Sequence, residues 1–227
     1  MTSTPADLAK YVAIMRNPAD RDPRGYIIPA DQPDFLTATK FVNALIKNGI
    51  VVHRATAPFS VAGKSYPANS FVVKTAQAFR PHILDMFEPQ DHPNDIPYPG
   101  GPPTPPYDNA GWTLAYQMGV QFERVLDAFG GPFVAVSGFA QPPASTLASG
   151  ASGYAFSHSV NDAFAAVNRL LARGQAVYTL TKPFAASGRS FDVGTFYVPA
   201  NPSTASVLAQ LAQYTSSRSR ARLRRKL

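Results

Sequence analysis

The sequence contains one pattern twice, and this internal repeat limits what the chain can fold into more than any other feature. Displaced by 125 positions, residues 42–75 align with residues 167–200 without a gap. Most of the identical pairs fall on glycines, prolines and apolar positions, and they include Val42/Val167, Leu45/Leu170, Gly49/Gly174, Thr56/Thr181, Pro58/Pro183, Phe59/Phe184, Gly63/Gly188 and Phe71/Phe196. Self-similarity of this kind indicates a supersecondary unit that the chain uses twice.

The first copy predicts a short strand, an amphipathic helix, a second strand, a hairpin and a closing strand. Asp34 is a suitable helix cap, and Asn48-Gly49 provides a left-handed helix end. A helix between two short strands predicts that these strands form a parallel pair with a right-handed crossover. The predicted strands lie at 26–28, 50–52 and 71–74, with the hairpin between 58 and 66.

The second copy predicts the same elements. Asn161-Asp162 is expected to cap its helix and Arg173-Gly174 to end it, and the hairpin turns at 187–189. A last helix is expected from Ser203 or Thr204 to about Tyr214. The fold class is therefore α/β, with two repeated β-α-β-hairpin units, which pack either as halves of one sheet system or as two small domains.

The stretch between the two copies has a different composition. Residues 88–106 contain eight prolines, which favour an extended conformation and exclude a sheet interior. A short helix bearing Trp112 and a strand within 121–129 follow. The predicted organisation is an N-terminal helix that ends a longer linker (1–20), a first unit (21–80), a proline-rich connector (81–135), a second unit (136–215) and a basic disordered tail (216–227).

The positive charge belongs to the tail. The formal net charge is +7, but residues 216–227 carry six basic residues and no acidic one. The rest of the chain holds 15 basic and 14 acidic residues, a net of +1. The tail is able to contact phosphates of nucleic acid or anionic lipid, but it has no interleaved aromatic residues. A solvated end is the preferred interpretation, and no stretch is long and apolar enough for a membrane span.

The residue types that carry common catalytic chemistry are absent or scattered. The chain has no cysteine, which excludes disulfides and thiolate metal sites, and its four histidines do not form a zinc-binding motif. His82 and Asp85 with Asp91 and His92 are the nearest approach to a metal cluster, and we interpret them as a helix end and a turn. We therefore expect no catalytic residues and no metal site in this chain.

Two further motifs have structural interpretations. Ser157-His158-Ser159 precedes a helix, where hydroxyls usually make caps and turns instead of acting as nucleophiles. Gly63-Lys64-Ser65 is similar to the end of a phosphate-binding loop, but it lacks the first glycine and a following helix. Its match with the second copy identifies it as a hairpin turn.

Four aromatic residues near the prolines are the candidate binding residues. Tyr98, Tyr107, Trp112 and Tyr116 are able to line a shallow groove for a peptide or a glycan. The alternative is a hydrophobic clamp that holds the long connector against the domain, and this is the preferred interpretation.

Three long strings resemble one protein family. They are DPRGYIIPADQPD at 22–34, AFRPHILDMFEPQDHPND at 78–95, and YPGGP at 98–102 continuing into PYDNAGWTLAYQMGV at 106–120. Together they resemble the region downstream of the catalytic domain in large bacterial zinc carboxypeptidase (carboxypeptidase A-like metallopeptidase) proteins. The resemblance covers roughly residues 5–215.

The resemblance implies a context and not an active site. Members of that family bind zinc through His-x-x-Glu and a distant His and use a Glu as general base, and no position here matches them. Zinc therefore belongs to the missing catalytic domain, and this chain has no cofactor of its own. The resemblance also implies an exported or periplasmic location, although no signal peptide is apparent at the N-terminus. The arginine-rich end is expected to reflect truncation or a shifted reading frame.

The function expected from these features is that of an accessory, non-catalytic segment of a zinc carboxypeptidase-like protein, structural or peptide-positioning. Its expected partners are the missing catalytic and C-terminal domains of a longer parent, and a peptide. One alternative is a stand-alone module that binds peptides or glycans through Tyr98, Tyr107, Trp112 and Tyr116. A second alternative is binding of nucleic acid or anionic membrane through the basic tail.

Overall fold

The structure, a computed structural model, describes residues 4–17, 21–90, 92, 94–107, 111–142, 152–186 and 189–211. The chain divides into two compact units. Unit 1 comprises the described residues up to Asp31 together with Phe41–Phe139, and unit 2 comprises Gln32–Lys40 together with the described residues from Ala140 onward. Residues 81–135, treated above as a connector, fall in unit 1.

Helix α1 is the first described element, and Thr4 and Asp7 cap its start. The Thr4 amide donates to Asp7 Oδ2 at 2.9 Å, and the Asp7 amide donates to Thr4 Oγ1 at 3.2 Å. These hydrogen bonds satisfy amides that have no partner within the helix. The Thr4 hydroxyl also donates to Asp7 Oδ2 at 2.7 Å, and this bond, followed by the one from the Thr4 amide, holds the pKa of Asp7 below its usual value. The helix spans Pro5–Arg16, so the predicted N-terminal helix is confirmed.

Unit 1 is built on a five-stranded antiparallel sheet with the order β6-β1-β5-β2-β7. Its elements after α1 are β1 (Gly25–Ile28), α2 (Phe35–Lys47), β2 (Val52–Ala55), β3 (Phe59–Val61), β4 (Lys64–Tyr66), β5 (Phe71–Lys74), α3 (Arg80–Phe87), α4 (Leu114–Gln117), β6 (Glu123–Val125) and β7 (Phe133–Ala135).

The predicted parallel pairing of the first two strands is wrong. Strands β1 and β2 each pair with β5, which lies between them and runs antiparallel to both. The closing strand therefore enters the centre of the sheet. This order lets β5 bury Phe71, Val72 and Val73 almost completely, because it has neighbours on both sides.

Helix α2 begins and ends where the sequence predicts. Asp34 Oδ1 accepts a hydrogen bond from the Thr37 amide at 3.0 Å, which is the expected N-terminal cap. Gly49 adopts a φ of 83°, and its amide donates to the Ile46 carbonyl, which closes the helix with a left-handed residue. The domain division passes through this helix between Lys40 and Phe41.

Two apolar layers cover the sheet of unit 1. On one face, Tyr26 stacks on Phe87 of α3 with 4.0 Å between ring centroids, and Phe87 also meets Phe41 of α2 edge-on. On the other face, the β3–β4 hairpin brings Phe59 and Tyr66 onto the sheet. This second layer also contains Ile27, Ala55, Val61, Val72 and Val125, with Phe129 and Phe133 packed against it.

Unit 2 contains a three-stranded antiparallel sheet with the order β8-β12-β9 and a separate hairpin. Its elements are β8 (Gly153–Phe156), α5 (Asn161–Ala172), β9 (Tyr178–Thr179), β10 (Phe184–Ala186), β11 (Arg189–Phe191), β12 (Phe196–Pro199) and α6 (Pro202–Leu211). Their order in the chain, and the central position of the closing strand, are the same as for β1, α2 and β2–β5.

The strand register also agrees between the two sheets. Gly25 pairs with Lys74 in one, and Gly153 pairs with Pro199 in the other. The mixed α/β class is confirmed, and all the described strand pairs are antiparallel. Helix α6 confirms the last predicted helix, starting at Pro202, and residues 212–214 of that prediction lie outside the described residues.

The predicted cap of α5 is wrong. Val160 is the residue at the N-terminus of this helix, and it makes no side-chain capping hydrogen bond. Asp34 performs the role instead, because its Oδ2 accepts the Asn161 amide at 2.9 Å while its Oδ1 caps α2. Lys40 also forms an ion pair with Asp162.

The core of unit 2 lies between its sheet and its two helices. Leu170 of α5 and Val198 of β12 are almost fully buried there, and Leu36 from the first turn of α2 belongs to the same cluster. The remaining members are Tyr154, Phe156, Val160, Ala163, Ala166, Val207 and Leu208.

Candidate functional site

The four predicted binding residues lie in unit 1, and three of them lie close to three different neighbours. Tyr107 has a fully exposed side chain (106%), and Tyr98 and Tyr116 are 60% and 59% exposed. The Tyr98 ring covers Gly101, where a Cβ would approach the ring to 2.8 Å. Tyr116 packs on Phe122 at 5.4 Å, and Trp112 is half-buried with its ring 6.3 Å from His92.

The segment bearing Trp112 and Tyr116 is fixed to the end of α3 by Thr113. Its amide donates to the Asp85 carbonyl at 2.9 Å, and its hydroxyl donates to the Glu88 carbonyl at 2.7 Å. Thr113 adopts a φ of 46°, which a β-branched residue rarely does. These hydrogen bonds satisfy carbonyls at a helix end, and they offset the strain of that backbone conformation.

The proline-rich loop is held at its base by backbone hydrogen bonds. The Thr104 amide donates to the Asp95 carbonyl at 2.7 Å, and the Gly101 amide donates to the Tyr98 carbonyl at 2.9 Å in a tight turn. The loop therefore presents Tyr98 to solvent from a closed framework, and Tyr107 follows beyond its base.

The histidine and acidic residues considered as a metal cluster do not converge in the described part of the chain. No group of three or more His, Asp or Glu residues there is arranged to hold a metal ion, and Asp91 lies outside that part. His82 lies on α3, and its Nε2 is buried with no hydrogen-bond partner among the described residues. His92 lies beside Trp112.

Ser157 and His158 have local structural roles. The Ser159 amide donates to Ser157 Oγ at 3.1 Å, which is the turn predicted for this position. The His158 ring lies against Gly194, whose φ of 88° and missing side chain allow this approach. Ser157 Oγ accepts a hydrogen bond here from a backbone amide.

Gly63-Lys64-Ser65 belongs to a hairpin, as predicted. Ala62 and Gly63 have φ values of 50° and 79°, the left-handed conformation that a two-residue hairpin turn requires at both positions. Lys64 Nζ forms an ion pair with Glu123 at 2.8 Å, which raises the pKa of Lys64 through the hydrogen bond. Ser65 Oγ lies 3.0 Å from Ser60 Oγ on the adjacent strand.

A network around Tyr26 and Glu88 was not predicted from the sequence. The buried Tyr26 hydroxyl donates to Glu88 Oε1 at 2.5 Å, and Arg124 Nε donates to the same oxygen at 2.9 Å. Burial, followed by the hydrogen bond to Glu88, raises the pKa of Tyr26 far above its usual value. Arg124 faces Tyr26 across the β1–β6 pair, so the network ties α3 and β6 to the first strand.

Further ion pairs extend this network along the start of the first repeat. Arg21 pairs with Asp127 at 2.8 Å, and Arg80 pairs with Asp22 at 2.6 Å. Arg124 also donates to the Arg21 carbonyl. These acidic groups are each opposed by an arginine, which is an arrangement for holding segments together and not one for proton transfer at an open site.

Lys74 is held among aromatic rings next to β7. Its ammonium lies 3.1 Å from the centroid of the Phe129 ring and donates to the Phe129 carbonyl. Burial lowers the pKa of Lys74. The contact holds the 126–132 segment against β5, and so fixes the route of the chain from β6 to β7.

Comparisons with known proteins identify no relative. No family model, no curated protein and no solved structure matches the chain. The helices in the described part of the chain are too short or too polar to cross a membrane.

Proposed function

We propose that this chain is a non-catalytic accessory module of a zinc carboxypeptidase-like protein, in which it positions an extended peptide for the parent. The observation that carries the proposal is a set of exposed tyrosine rings, of which Tyr98 and Tyr116 lie on segments fixed by hydrogen bonds. Tyr98, Tyr107 and Tyr116 expose more than half of their side chains. Exposed aromatic rings with a polar end bind peptides at low cost in conformational entropy.

The framework supports binding without large rearrangement. Thr113 fixes the Trp112–Tyr116 segment to α3, and the Asp95–Thr104 hydrogen bond closes the proline-rich loop. An extended peptide loses conformational entropy when it binds. A preformed aromatic surface keeps the further entropy lost by the protein small. The link to a zinc carboxypeptidase-like parent is supported by the three strings described above.

Tryptophan fluorescence provides the direct test, because Trp112 is the single tryptophan. Titration of the full chain with a panel of extended peptides is expected to change the emission. Tyr107→Ala and Tyr116→Ala are each expected to weaken binding about tenfold, which corresponds to about 1.4 kcal/mol. Phe139→Ala, which truncates an exposed ring elsewhere in unit 1, is the control and is expected to leave binding unchanged.

Two other outcomes would contradict the proposal. A response to glycans and none to peptides would favour the glycan-binding alternative for the same four residues. Stoichiometric zinc in elemental analysis, together with peptidase activity that chelation removes, would show that the chain is catalytic.

A further inference from the structure

Among the described residues, no strand lies beside one edge of β9 in unit 2, and unit 1 shows what lies beside the equivalent strand. In unit 1, β2 pairs on one side with β5 and on the other with β7. In unit 2, β9 pairs with β12 in the same register, and no described strand lies on its other side. Tyr178 and Thr179 are both exposed there.

The backbone groups at this edge follow from the alternation of an antiparallel ladder. The Leu180 amide donates to the Thr195 carbonyl, as the Ala55 amide donates to the Ser70 carbonyl in unit 1. Thr179, the preceding residue, therefore directs its amide and carbonyl away from β12. Its equivalent Arg54 directs the same groups to Val134 of β7.

Unit 2 also has a threonine at the position of Thr56, whose hydrogen bonds hold β7 in unit 1. Thr56 donates twice to the Pro132 carbonyl, from its amide at 2.8 Å and from its hydroxyl at 3.0 Å. The equivalent residue in unit 2 is Thr181, which is exposed and is followed two residues later by the matching proline, Pro183. Unit 2 therefore keeps a donor pair suited to the carbonyl of an added strand.

The apolar layer on the same side of the sheet is less covered in unit 2. In unit 1, Phe133 of β7 lies opposite Ala55 and meets Phe59 edge-on at 4.9 Å. The equivalents in unit 2 are Leu180 and Phe184, and both are half-buried where Ala55 and Phe59 are buried. A large apolar side chain placed opposite Leu180 would cover them, as Phe133 does in unit 1.

We propose that the open edge of β9 binds an extended segment of a partner polypeptide as an added antiparallel strand, with a large apolar residue opposite Leu180. The added strand takes the place that β7 occupies in unit 1. Main-chain hydrogen bonds to Thr179 and Thr181 hold it, and contacts with Leu180 and Phe184 select the apolar residue. This proposal does not depend on the aromatic surface or on the parent protein proposed above.

The test uses the β7 segment itself as the probe, added in trans to the full chain. A synthetic peptide with residues 130–137 (GGPFVAVS) is titrated into isotopically labelled protein while amide signals are followed by NMR. Shifts are expected at residues 177–181, and amide exchange at Thr179 and Thr181 is expected to slow. The peptide is not expected to bind at β2, because β7 occupies that edge in cis at high effective concentration.

Two matched peptides make the test specific for strand addition. N-methylation at Val134 removes the amide that would face Thr179, whereas N-methylation at Ala135 modifies an amide that faces away. The first peptide is expected to bind at least about tenfold more weakly, since at least one backbone hydrogen bond and the close approach of the strands are lost. The second is expected to keep most of the affinity.

A protein variant gives the complementary result. Thr179→Pro removes the outward amide of β9 and is expected to abolish the shifts at 177–181. If this variant disturbs unit 2, Thr181→Val, which removes only the hydroxyl, is expected to weaken binding several-fold with an unchanged amide spectrum. Equal binding of the two N-methylated peptides, shifts confined to residues 98–116, or pairing of β9 with a second copy of the chain without peptide would each overturn the proposal.

Discussion

Unit 1 and unit 2 build the same three-stranded sheet in the same register, but they differ in what lies beside it. In unit 1, β6 and β7 extend the sheet on both edges, and Phe129 and Phe133 on the same segment cover the hairpin layer. In unit 2, the described sheet has only its three repeated strands. The repeat therefore supplies a common frame, and a segment outside the repeat completes one copy of it.

The difference is visible at equivalent positions of the two copies. Phe71 and Val52 are buried in unit 1, whereas Phe196 and Val177 are half-buried in unit 2. The residue types are identical at both positions, and Phe71 and Val52 lie on the face of the sheet opposite the hairpin layer. The difference in burial therefore extends beyond the face that Phe129 and Phe133 cover. Apolar area removed from water contributes about 25 cal/mol per Å², so these two positions stabilise unit 2 less than unit 1.

Truncation of the phenylalanine on the central strand is expected to give the largest difference in stability loss between the two units. Phe71→Ala is expected to cost about 3–5 kcal/mol in the free energy of unfolding, because it leaves a cavity beneath a fully covered sheet. Phe196→Ala is expected to cost about 1–2 kcal/mol, since its ring is already partly in water. Native-state hydrogen exchange at β5 and β12 measures each unit separately. Equal losses would show that burial at these two positions does not determine their contribution.

Proline in the equivalent strands β2 and β9 is expected to give the next largest difference in stability loss. Arg54→Pro removes an amide that pairs with β7 and is expected to cost about 3 kcal/mol. Thr179→Pro removes an amide at an open edge, and it is expected to cost about 1 kcal/mol or less. Urea unfolding followed by tyrosine and tryptophan fluorescence compares the two. A large loss from Thr179→Pro would mean that this amide has a partner.

The Tyr26 hydroxyl makes unit 1 sensitive to alkali. Tyr26→Phe is expected to cost about 2 kcal/mol near pH 7, because a hydrogen bond to a charged group is lost. The pKa of Tyr26 is raised in the folded chain and is about 10 in the unfolded chain, so the folded chain binds more protons at high pH. Its contribution is therefore present below pH 10 and is lost as the pH rises above that value.

Urea unfolding of the unsubstituted chain and of Tyr26→Phe at pH 7 and at pH 11 measures this contribution. Between pH 7 and pH 11, the free energy of unfolding is expected to fall less in Tyr26→Phe than in the unsubstituted chain, because phenylalanine cannot ionise. An identical decline in both proteins would assign the alkaline sensitivity to other groups.

The glycines that end the two repeated helices should show the smallest difference. Gly49 and Gly174 both have positive φ, so alanine at either position is expected to cost about 1 kcal/mol from backbone strain. At Gly49 the new Cβ would also approach the Phe79 ring to 3.2 Å, whereas nothing lies within 4 Å at Gly174. Gly49→Ala is therefore expected to be worse by a few tenths of a kcal/mol, as measured by thermal unfolding.

Features set by short stretches of sequence were predictable. The turn at Ala62-Gly63 and the helix end at Gly49 depend on left-handed conformations that glycine favours, and both occur where predicted. The position of β5 between β1 and β2 was not predictable in this way. A helix between two strands suits both orders, and the choice depends on which strand buries more apolar surface between two neighbours.

The network of the candidate site depends on residues far apart in the chain. Tyr26 and Glu88 are separated by 62 positions, and Asp34 and Asn161 by 127. Neither pair has a local sequence pattern, because acidic residues next to helix ends, such as Asp34 and Glu88, are common in surface loops. The binding role of Tyr98, Tyr107, Trp112 and Tyr116 stays a prediction, although the structure shows three of the four rings exposed.

Asp34 and Leu36 determine how this chain can be divided. Both belong to unit 2, one at the start of α5 and the other in its core, yet they precede most of unit 1 along the chain. A fragment that begins at Ala140 would contain every strand of unit 2 and would still lack a helix cap and a core side chain. Recombinant expression of the second repeat alone is therefore expected to need residues 32–40 supplied by a linker or a circular permutation.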